Sequence, residues 1–410
     1  SIYEQSPAGT AMAGAMTARA DDASAIFYNP AGLGFLSGLS VVANATIITA
    51  KSSATDMAGT TYDSQRGNFL VPALYAAARV HDRVSIGVGG FASYGLGVNW
   101  KVDGAAAFPG RFKVQDASLQ TFTVNPTVAI RLLPMISIAV GFDAVRGSVG
   151  LTRSLALGQD EAQVSLAAGT WAYGGNVGLM LSLIPGKLSA GFAYRSYVDL
   201  KFDGGTVGYT PAAGVSGSFP YTTGGAAIEL PHTYAVGLSA RPWSFFGFSV
   251  DLNALQWSST RELRLTLSDP TTNASQVSVT PRNWHETITV RVGLESDLSQ
   301  FAPRRFVPKV RLGFAFDQSP VPAETLDPSL PDGNRYLVSG GLSLGLRHVG
   351  AIELAYMAVF PESRTSANPD LPLKYGTSAH VLSAGLVVQL DNLLGKRSAP
   401  YARGLLSQDL

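Results

Sequence analysis

From Leu39 to Leu390 the chain keeps a period of two, and its runs are joined by connections that are short and long in alternation. In His232–Arg241, Tyr234, Val236, Leu238 and Ala240 share one face, opposite Thr233, Ala235, Gly237, Ser239 and Arg241. Thr287–Glu295 sets Ile288, Val290, Val292 and Leu294 against Thr289, Arg291, Gly293 and Glu295. Lys309–Asp317 sets Val310, Leu312, Phe314 and Phe316 against Lys309, Arg311, Gly313, Ala315 and Asp317. Successive side chains of a strand point to opposite faces, so each run reads as a strand with one apolar face and one face of small and charged residues. A soluble sandwich alternates in the same way; the connections separate the two. Tight joints fall at His81–Arg83, Leu133–Met135, Ile184–Lys187 and Arg347–Val349. Long Gly/Pro-rich ones fall at Lys51–Asn68, Asn99–Gln115, Ala156–Thr170, Gly204–Glu229, Ser268–Asn283, Gln318–Asn334 and Pro361–Thr377. That asymmetry is the pattern of an outer-membrane barrel, with short periplasmic turns and long external loops.

The expected fold is all-β: a closed transmembrane antiparallel β-barrel of about fourteen strands. They are placed near 39–50, 69–81, 83–98, 117–132, 135–153, 171–183, 188–203, 230–242, 246–267, 284–298, 308–317, 335–347, 350–360 and 379–390. Only 14% of residues are charged, against roughly 25% in a soluble domain. No apolar run is long enough for a spanning helix. Thirty basic and 29 acidic residues leave a net charge of +1, which gives no bulk attraction for nucleic acid. With no cysteine, disulfides and thiolate metal sites are excluded. Ser1-Ile2-Tyr3-Glu4 has no basic or apolar signal region and reads as a mature N-terminus. Tyr94, Trp100, Trp171, Tyr173, Tyr194, Tyr197, Trp243, Trp257, Trp284 and Tyr356 fall near strand ends, as interface girdles require.

Residues 1–38 precede the first strand and are too few for a core of their own. They are also too apolar for water, with Met12, Met16, Ile26, Phe27 and Tyr28 among them. A barrel of this size has an interior its wall cannot fill. The economical arrangement is a small helical plug, residues 1–38, inside a barrel of residues 39–390, followed by a polar tail, residues 391–410.

Here the chain resembles the FadL family of outer-membrane transporters for long-chain fatty acids and other hydrophobic compounds. The resemblance rests first on the segment Asp21-Asp22-Ala23-Ser24-Ala25-Ile26-Phe27-Tyr28-Asn29-Pro30-Ala31-Gly32-Leu33. Phe108-Pro109-Gly110-Arg111-Phe112, Gln115-Asp116-Ala117-Ser118-Leu119, Asn125-Pro126 and Leu230-Pro231-His232 follow in order. Trp284-His285-Glu286-Thr287, Phe316–Pro322 and Pro331–Tyr336 complete the set.

The resemblance implies capture of a hydrophobic ligand among the external loops, transfer to an apolar lumen pocket, and sideways release at a kinked third strand. Carried over, the gate is Asn29, Pro30 and Ala31, with Phe27, beneath the strand Val84–Val98. The lateral opening is Ser93, Tyr94, Gly95 and Gly97. A side exit is physically sensible, because releasing a sixteen-carbon chain into water costs on the order of 10 kcal/mol. The family's carboxylate-binding arginine falls at Arg153; its second basic partner has no clear match, and Arg282 is named in its place. Strand parity that turns Arg153 inward also turns Arg146 outward, unless a bulge lies between them. Capture is assigned to Phe108 and to Phe219 and Tyr221 of a Gly-rich loop. The implied partners are a fatty acid, detergent or hydrocarbon, outer-membrane lipid and lipopolysaccharide. The protein is expected to be a monomer without cofactor or metal, in the bacterial outer membrane.

Two alternatives stand beside fatty-acid uptake: transport of aromatic or other neutral hydrocarbons, and a surface adhesin or structural barrel. Enzyme activity is not expected. Gly341-Leu342-Ser343-Leu344-Gly345 matches a hydrolase elbow but lies inside an alternating strand, and five histidines are scattered.

Overall fold

The computed structural model describes residues 2–19, 21–101, 107–157, 160–210, 221–347, 349–369 and 371–391. Fourteen wall strands run antiparallel to their neighbours. They are β1 (Gly38–Thr55), β2 (Gly67–His81), β3 (Val84–Phe91 and Gly95–Asn99), β4 (Asp116–Leu133), β5 (Ile136–Leu157) and β6 (Asp160–Ile184). The next four are each interrupted: β7 (Leu188–Arg195 and Val198–Thr210), β8 (Thr223–Leu230 and His232–Trp243), β9 (Phe246–Gln256 and Glu262–Asp269) and β10 (Ala274–Pro281 and Thr287–Asp297). The wall ends with β11 (Phe306–Asp317), β12 (Arg335–Leu346), β13 (Gly350–Pro361) and β14 (Lys374–Asp391). β14 returns to β1 in unbroken register, Gly38 opposite Asp391 and Thr55 opposite Lys374, and closes the cylinder. Pairing β14 with β1 leaves neither end of the sheet as a free edge strand in lipid, where an unpaired backbone group costs several kcal/mol.

The two faces follow the alternation read from the sequence. Leu70, Leu74, Val140, Phe142, Leu312, Leu342, Ile352, Leu354 and Leu382 are exposed on the outside. Asp251, Asn253, Arg291, Glu295, Lys309, Arg311 and Glu353 are buried on the inside. A soluble protein has the reverse arrangement. Here the outer solvent is hydrocarbon, and the lumen must supply every polar partner.

Those partners are taken by the N-terminal segment. It forms α1 (Pro7–Ala11), capped when Gly9 N donates to Ser6 Oγ at 3.1 Å, α2 (Ala25–Tyr28), and a 3-10 turn, Pro30–Phe35. Helices this short do not persist alone. The wall's polar inner face holds them instead. Thr17 N donates to Asp251 Oδ2 (2.8 Å), and Arg291 to Ala13 O (2.7 Å). Ser189 donates to Ala18 O (2.6 Å), and Ser339 to Ala11 O (3.0 Å). Ala23 N donates to Ser40 Oγ (3.0 Å), and Gln389 to Asp21 O (3.3 Å). Met12, Met16, Ile26 and Leu33 are fully buried within this ring. Near the tight-turn end Glu295 binds Arg241 (2.7 Å), Lys309 (3.7 Å) and Arg311 (2.8 Å) of the wall, and Arg19 of the segment.

The aromatic girdles divide. Trp171, Tyr173, Tyr197, Trp243 and Tyr356 are exposed on the outer face as expected. Four others are not. Trp100 is buried under the external loops, and Tyr94, Trp257 and Trp284 stack edge to face at 6.1 and 5.1 Å. Proximity to a strand end does not say which face a ring takes.

Candidate functional site

The third strand bends where the sequence places the bend. Its halves are separated by Ala92–Tyr94. On the β4 side pairing continues through the bend: Phe91 opposite Thr123, Tyr94 N donating to Thr121 Oγ1 (3.0 Å), Gly95 opposite Gln120. On the β2 side it stops. The β2–β3 ladder ends at Leu74 opposite Gly90, so Gly67–Ala73 has no partner on β3. Backbone pairing returns where Gln65 N donates to Asn99 O (2.7 Å) and Ser64 faces Trp100. The result is a bounded window in the wall, on the order of 20 Å tall.

Two layers fill it. Ile2 N donates to Ser93 O (2.8 Å) and Gln5 Nε2 to Ala92 O (2.5 Å), so the N-terminal residues pair with the abandoned edge of β3. The Ile2 side chain lies against Gly95. From β2, the Phe69 ring rests on Gly97, where any Cβ would collide with it. Gly97 is therefore required by close approach.

Behind the window is a cleft lined by Ile2, Tyr3, Phe27, Tyr28, Pro30, Ser93, Tyr94, Asn176, Tyr194, Arg195 and Thr233. Its enclosed space is about 40 Å³, room for a water or two. Ile2 and Tyr3 are part of its lining. Phe27 makes edge-to-face contacts with Tyr3 (5.5 Å), Tyr28 (5.0 Å) and Phe91 (5.3 Å).

Arg195 is the guanidinium in this cleft, and the sequence reading passed over it. It donates to Asp143 Oδ1 (2.5 Å) and to Phe27 O (3.4 Å), and lies over the Phe91 ring at 5.2 Å. Asn125 donates to the same Asp143 oxygen (2.7 Å), while Asp143 Oδ2 is buried without a protein partner. A legible signal existed. Arg195 shares parity with Gly191 and Ala193, opposite Phe192 and Tyr194, and so belongs to the inner face.

The other expected residues distribute unevenly. Ser93, Tyr94, Phe27 and Pro30 line the cleft. Asn29 and Ala31 are buried. Asn29 does not sit beneath β3: its amide donates to Thr17 O (2.8 Å) and to Leu179 O of β6 (3.1 Å). It is Ile26 and Phe27 that meet the third strand, Ile26 at Gly87 and Gly89 and Phe27 at Phe91. The β5–β6 register is continuous from Ile136 to Leu157, so no bulge separates Arg146 from Arg153. Arg146 does point outward, and its guanidinium covers the Trp171 ring at 5.9 Å. Arg153 keeps inward parity but stands opposite Val164 on the external extension of the β5–β6 hairpin, away from the cleft.

Arg282 is not free to bind a head group. It donates to Asp327 (2.8 Å) and Ser329 (2.9 Å), and its carbonyl accepts from Thr325 (2.7 Å). Phe108 is not an exposed capture residue; it is fully buried, stacked on Trp100 at 4.4 Å in the core of the external loops. Beside it Arg111 donates to both Glu161 oxygens (3.0 and 2.5 Å) and holds that carboxyl below its ordinary pKa. Tyr221 is half-buried at a loop base. Phe219 and the tail after Asp391 lie outside the described residues. Ser343 is buried inside β12, opposite Lys309 and Glu353, not at a strand-to-helix elbow.

With this geometry in hand, comparison with known proteins is informative. Residues 1–389 match the family model of outer membrane protein transport proteins (OMPP1/FadL/TodX). The chain is 25% identical over 373 residues to a long-chain fatty acid transport protein of Escherichia coli O6:H1, covering 82% of this chain and 80% of that one. A shorter match, 32% identical over 109 residues, spans 24% of this chain and 23% of a putative outer membrane protein of Neisseria meningitidis serogroup B. Among solved structures, a Pseudomonas aeruginosa FadL homologue superposes with a TM-score of 0.79 at 18% identity, covering 94% of this chain and 98% of that one. The Pseudomonas putida toluene transporter TodX does so at 0.74 and 16%, covering 94% and 99%.

Proposed function

Because the chain belongs to the OMPP1/FadL/TodX family of outer-membrane transport proteins, we propose that it takes up long-chain fatty acids and releases them sideways through the β2–β3 window. At the coarser level it is an outer-membrane transporter of hydrophobic compounds. Its tight turns therefore face the periplasm, and its long connections face outward. The external loops and the N-terminal plug sit in series. Ligand collected among the loops descends to the aromatic cleft, displaces Ile2 and Tyr3, and leaves between β2 and β3. The observation that carries this reading is the bounded window, filled by the Phe69 ring and the N-terminal residues. Leaving from an apolar cleft into lipid avoids the cost of about 0.8 kcal/mol per methylene that water would impose.

Arg195 takes the head-group role that the resemblance gave to Arg153, because it is the guanidinium that reaches the cleft. A second reading also has support. Asp143 already pairs with Arg195, and the rings of Tyr3, Phe27, Tyr28 and Tyr94 surround the space. That lining suits a neutral aromatic compound as well. Titration of the purified protein with palmitate and with toluene separates the two. On the fatty-acid reading Arg195→Ala weakens palmitate binding by about 2 kcal/mol, roughly thirty-fold, and leaves toluene unchanged. Equal palmitate affinity in both proteins refutes the head-group assignment and favours the neutral ligand.

A further inference from the structure

The wall is broken a second time, on the other side of the cleft. β6 pairs with β7 up to Asn176 opposite Arg195, and again from Ala167 opposite Thr206. Ser196 N donates to Gly175 O (2.8 Å), and above that point Ala168–Gly174 and Tyr197–Gly205 share no ladder. The unpaired stretch is as long as the β2–β3 window, on the order of 20 Å. β7 and β8 stay in register across it, Arg195 opposite Thr233 and Val198 opposite Leu230, so the two strands leave β6 together.

Local chemistry makes the bend. Ser196 and Tyr197 interrupt β7, and Pro231, lacking an N–H, interrupts β8 at the same level. A bulge between Phe202 and Gly205 uses Gly204 at φ +66°, a backbone that other residues resist. The bend carries Leu200 and Phe202 inward. Both are fully buried and lie against Gly147 of β5, which they reach by crossing behind β6. With Val145, Val149 and Leu230 they form an apolar cluster that continues to Tyr94 of the cleft.

Outside, the break is framed by rings of the outer interface. Trp171, Tyr173 and Tyr197 are exposed, and the Arg146 guanidinium covers Trp171. Asp199 and Lys201 pair at 2.7 Å on the outward face of the bent strand. The break thus has a polar rim at headgroup level and an apolar interior that leads to the ligand cleft.

We propose that the β6–β7 break is a second side port, through which ligand already dissolved in the outer leaflet reaches the cleft with Leu200 and Phe202 as its door. The ligand it fits is an alkyl or aryl chain with one polar end, the end resting against Asp199, Lys201 and Arg146 while the chain passes inward. Such a molecule never enters water on this path, so the methylene cost above does not arise. The inference rests on the family's transport of hydrophobic compounds and is independent of how ligand leaves.

The test uses the full chain, which has no cysteine, so two introduced thiols are unique. Trp171→Cys and Lys201→Cys flank the break and are joined by a short reducible bis-thiol reagent. A diazirine-bearing palmitate, pre-dissolved in the bilayer of proteoliposomes, is photolysed, and labelled peptides are mapped. The expected result is labelling at Leu200, Phe202 and Tyr94 that falls at least five-fold on tethering and returns on reduction. Labelling of the cleft that is unchanged by the tether overturns the port and leaves the transport reading intact. A cleft that is never labelled, whether palmitate is supplied from bilayer or from water, overturns both. Leu200→Ala with Phe202→Ala gives an independent arm: membrane-supplied labelling of the cleft rises, and no rise counts against the door.

Discussion

Replacing Glu295 by Gln keeps its shape and removes the negative charge on which four cations converge. Glu295 is fully buried; Arg241, Arg311 and Lys309 approach it at 2.7, 2.8 and 3.7 Å, and Arg19 reaches it from the N-terminal segment. After the change Glu353, 2.8 Å from Arg311, and Asp21, 3.6 Å from Arg19, are the carboxylates that still offset them among the ion pairs described. Removing one partner from a buried ion pair costs about 3–5 kcal/mol. The wall can absorb this, because β10 around Glu295 is held by ladders to both β9 and β11. The attachment around Arg19 is more sensitive, since Arg19 is held by Glu295, with Asp21 at 3.6 Å as its other acidic contact. The cost therefore appears as local detachment, whose population rises by roughly two to nearly four powers of ten. The assay is conductance of the full-length protein in a planar lipid bilayer, with heat-modifiable migration as a check on the barrel. E295Q is expected to migrate as a folded barrel but show frequent current openings. Arg19→Ala should show fewer, because Arg241, Lys309 and Arg311 keep their partner. An E295Q protein that is folded and as insulating as its parent refutes the assignment of this network to anchoring the plug.

Other substitutions probe single contacts. Phe69→Ala removes the ring from Gly97 and should raise the rate of palmitate uptake by cells several-fold while leaving equilibrium affinity unchanged. Phe108→Ala opens a cavity beside Trp100 and should destabilise the external loops by about 3–5 kcal/mol, seen as faster proteolytic nicking without change in barrel melting. Arg282→Ala loses its bonds to Asp327 and Ser329, about 2–3 kcal/mol, with the same loop readout and no change in palmitate affinity. Arg153→Ala should alter neither.

Much of the wall was legible because period two is a backbone property. Thr287–Glu295 and Lys309–Asp317 lie in β10 and β11 with the faces the sequence assigns. The bend near Ser93–Gly97 came from the family resemblance, with Gly95 and Gly97 only permitting it. The second break was not legible. Ser196-Tyr197 and Leu230-Pro231-His232 look like strand text, and only the bend of two strands together turns them into an opening. Arg195 was overlooked because Tyr194 and Tyr197 drew attention as girdle rings, although its own parity pointed inward. Phe108 marks the limit of such reading. Residues on the external extensions obey strand parity and loop composition, yet they pack into a loop core that no local pattern encodes.

The central claim is that ligand leaves between β2 and β3. Phe69→Cys and Gly97→Cys, joined across the seam by a reducible bis-thiol reagent, test it in the cysteine-free chain. Palmitate uptake by cells should fall at least tenfold when the seam is tethered and recover on reduction. Uptake that proceeds at the untethered rate through a fully cross-linked seam would contradict the account.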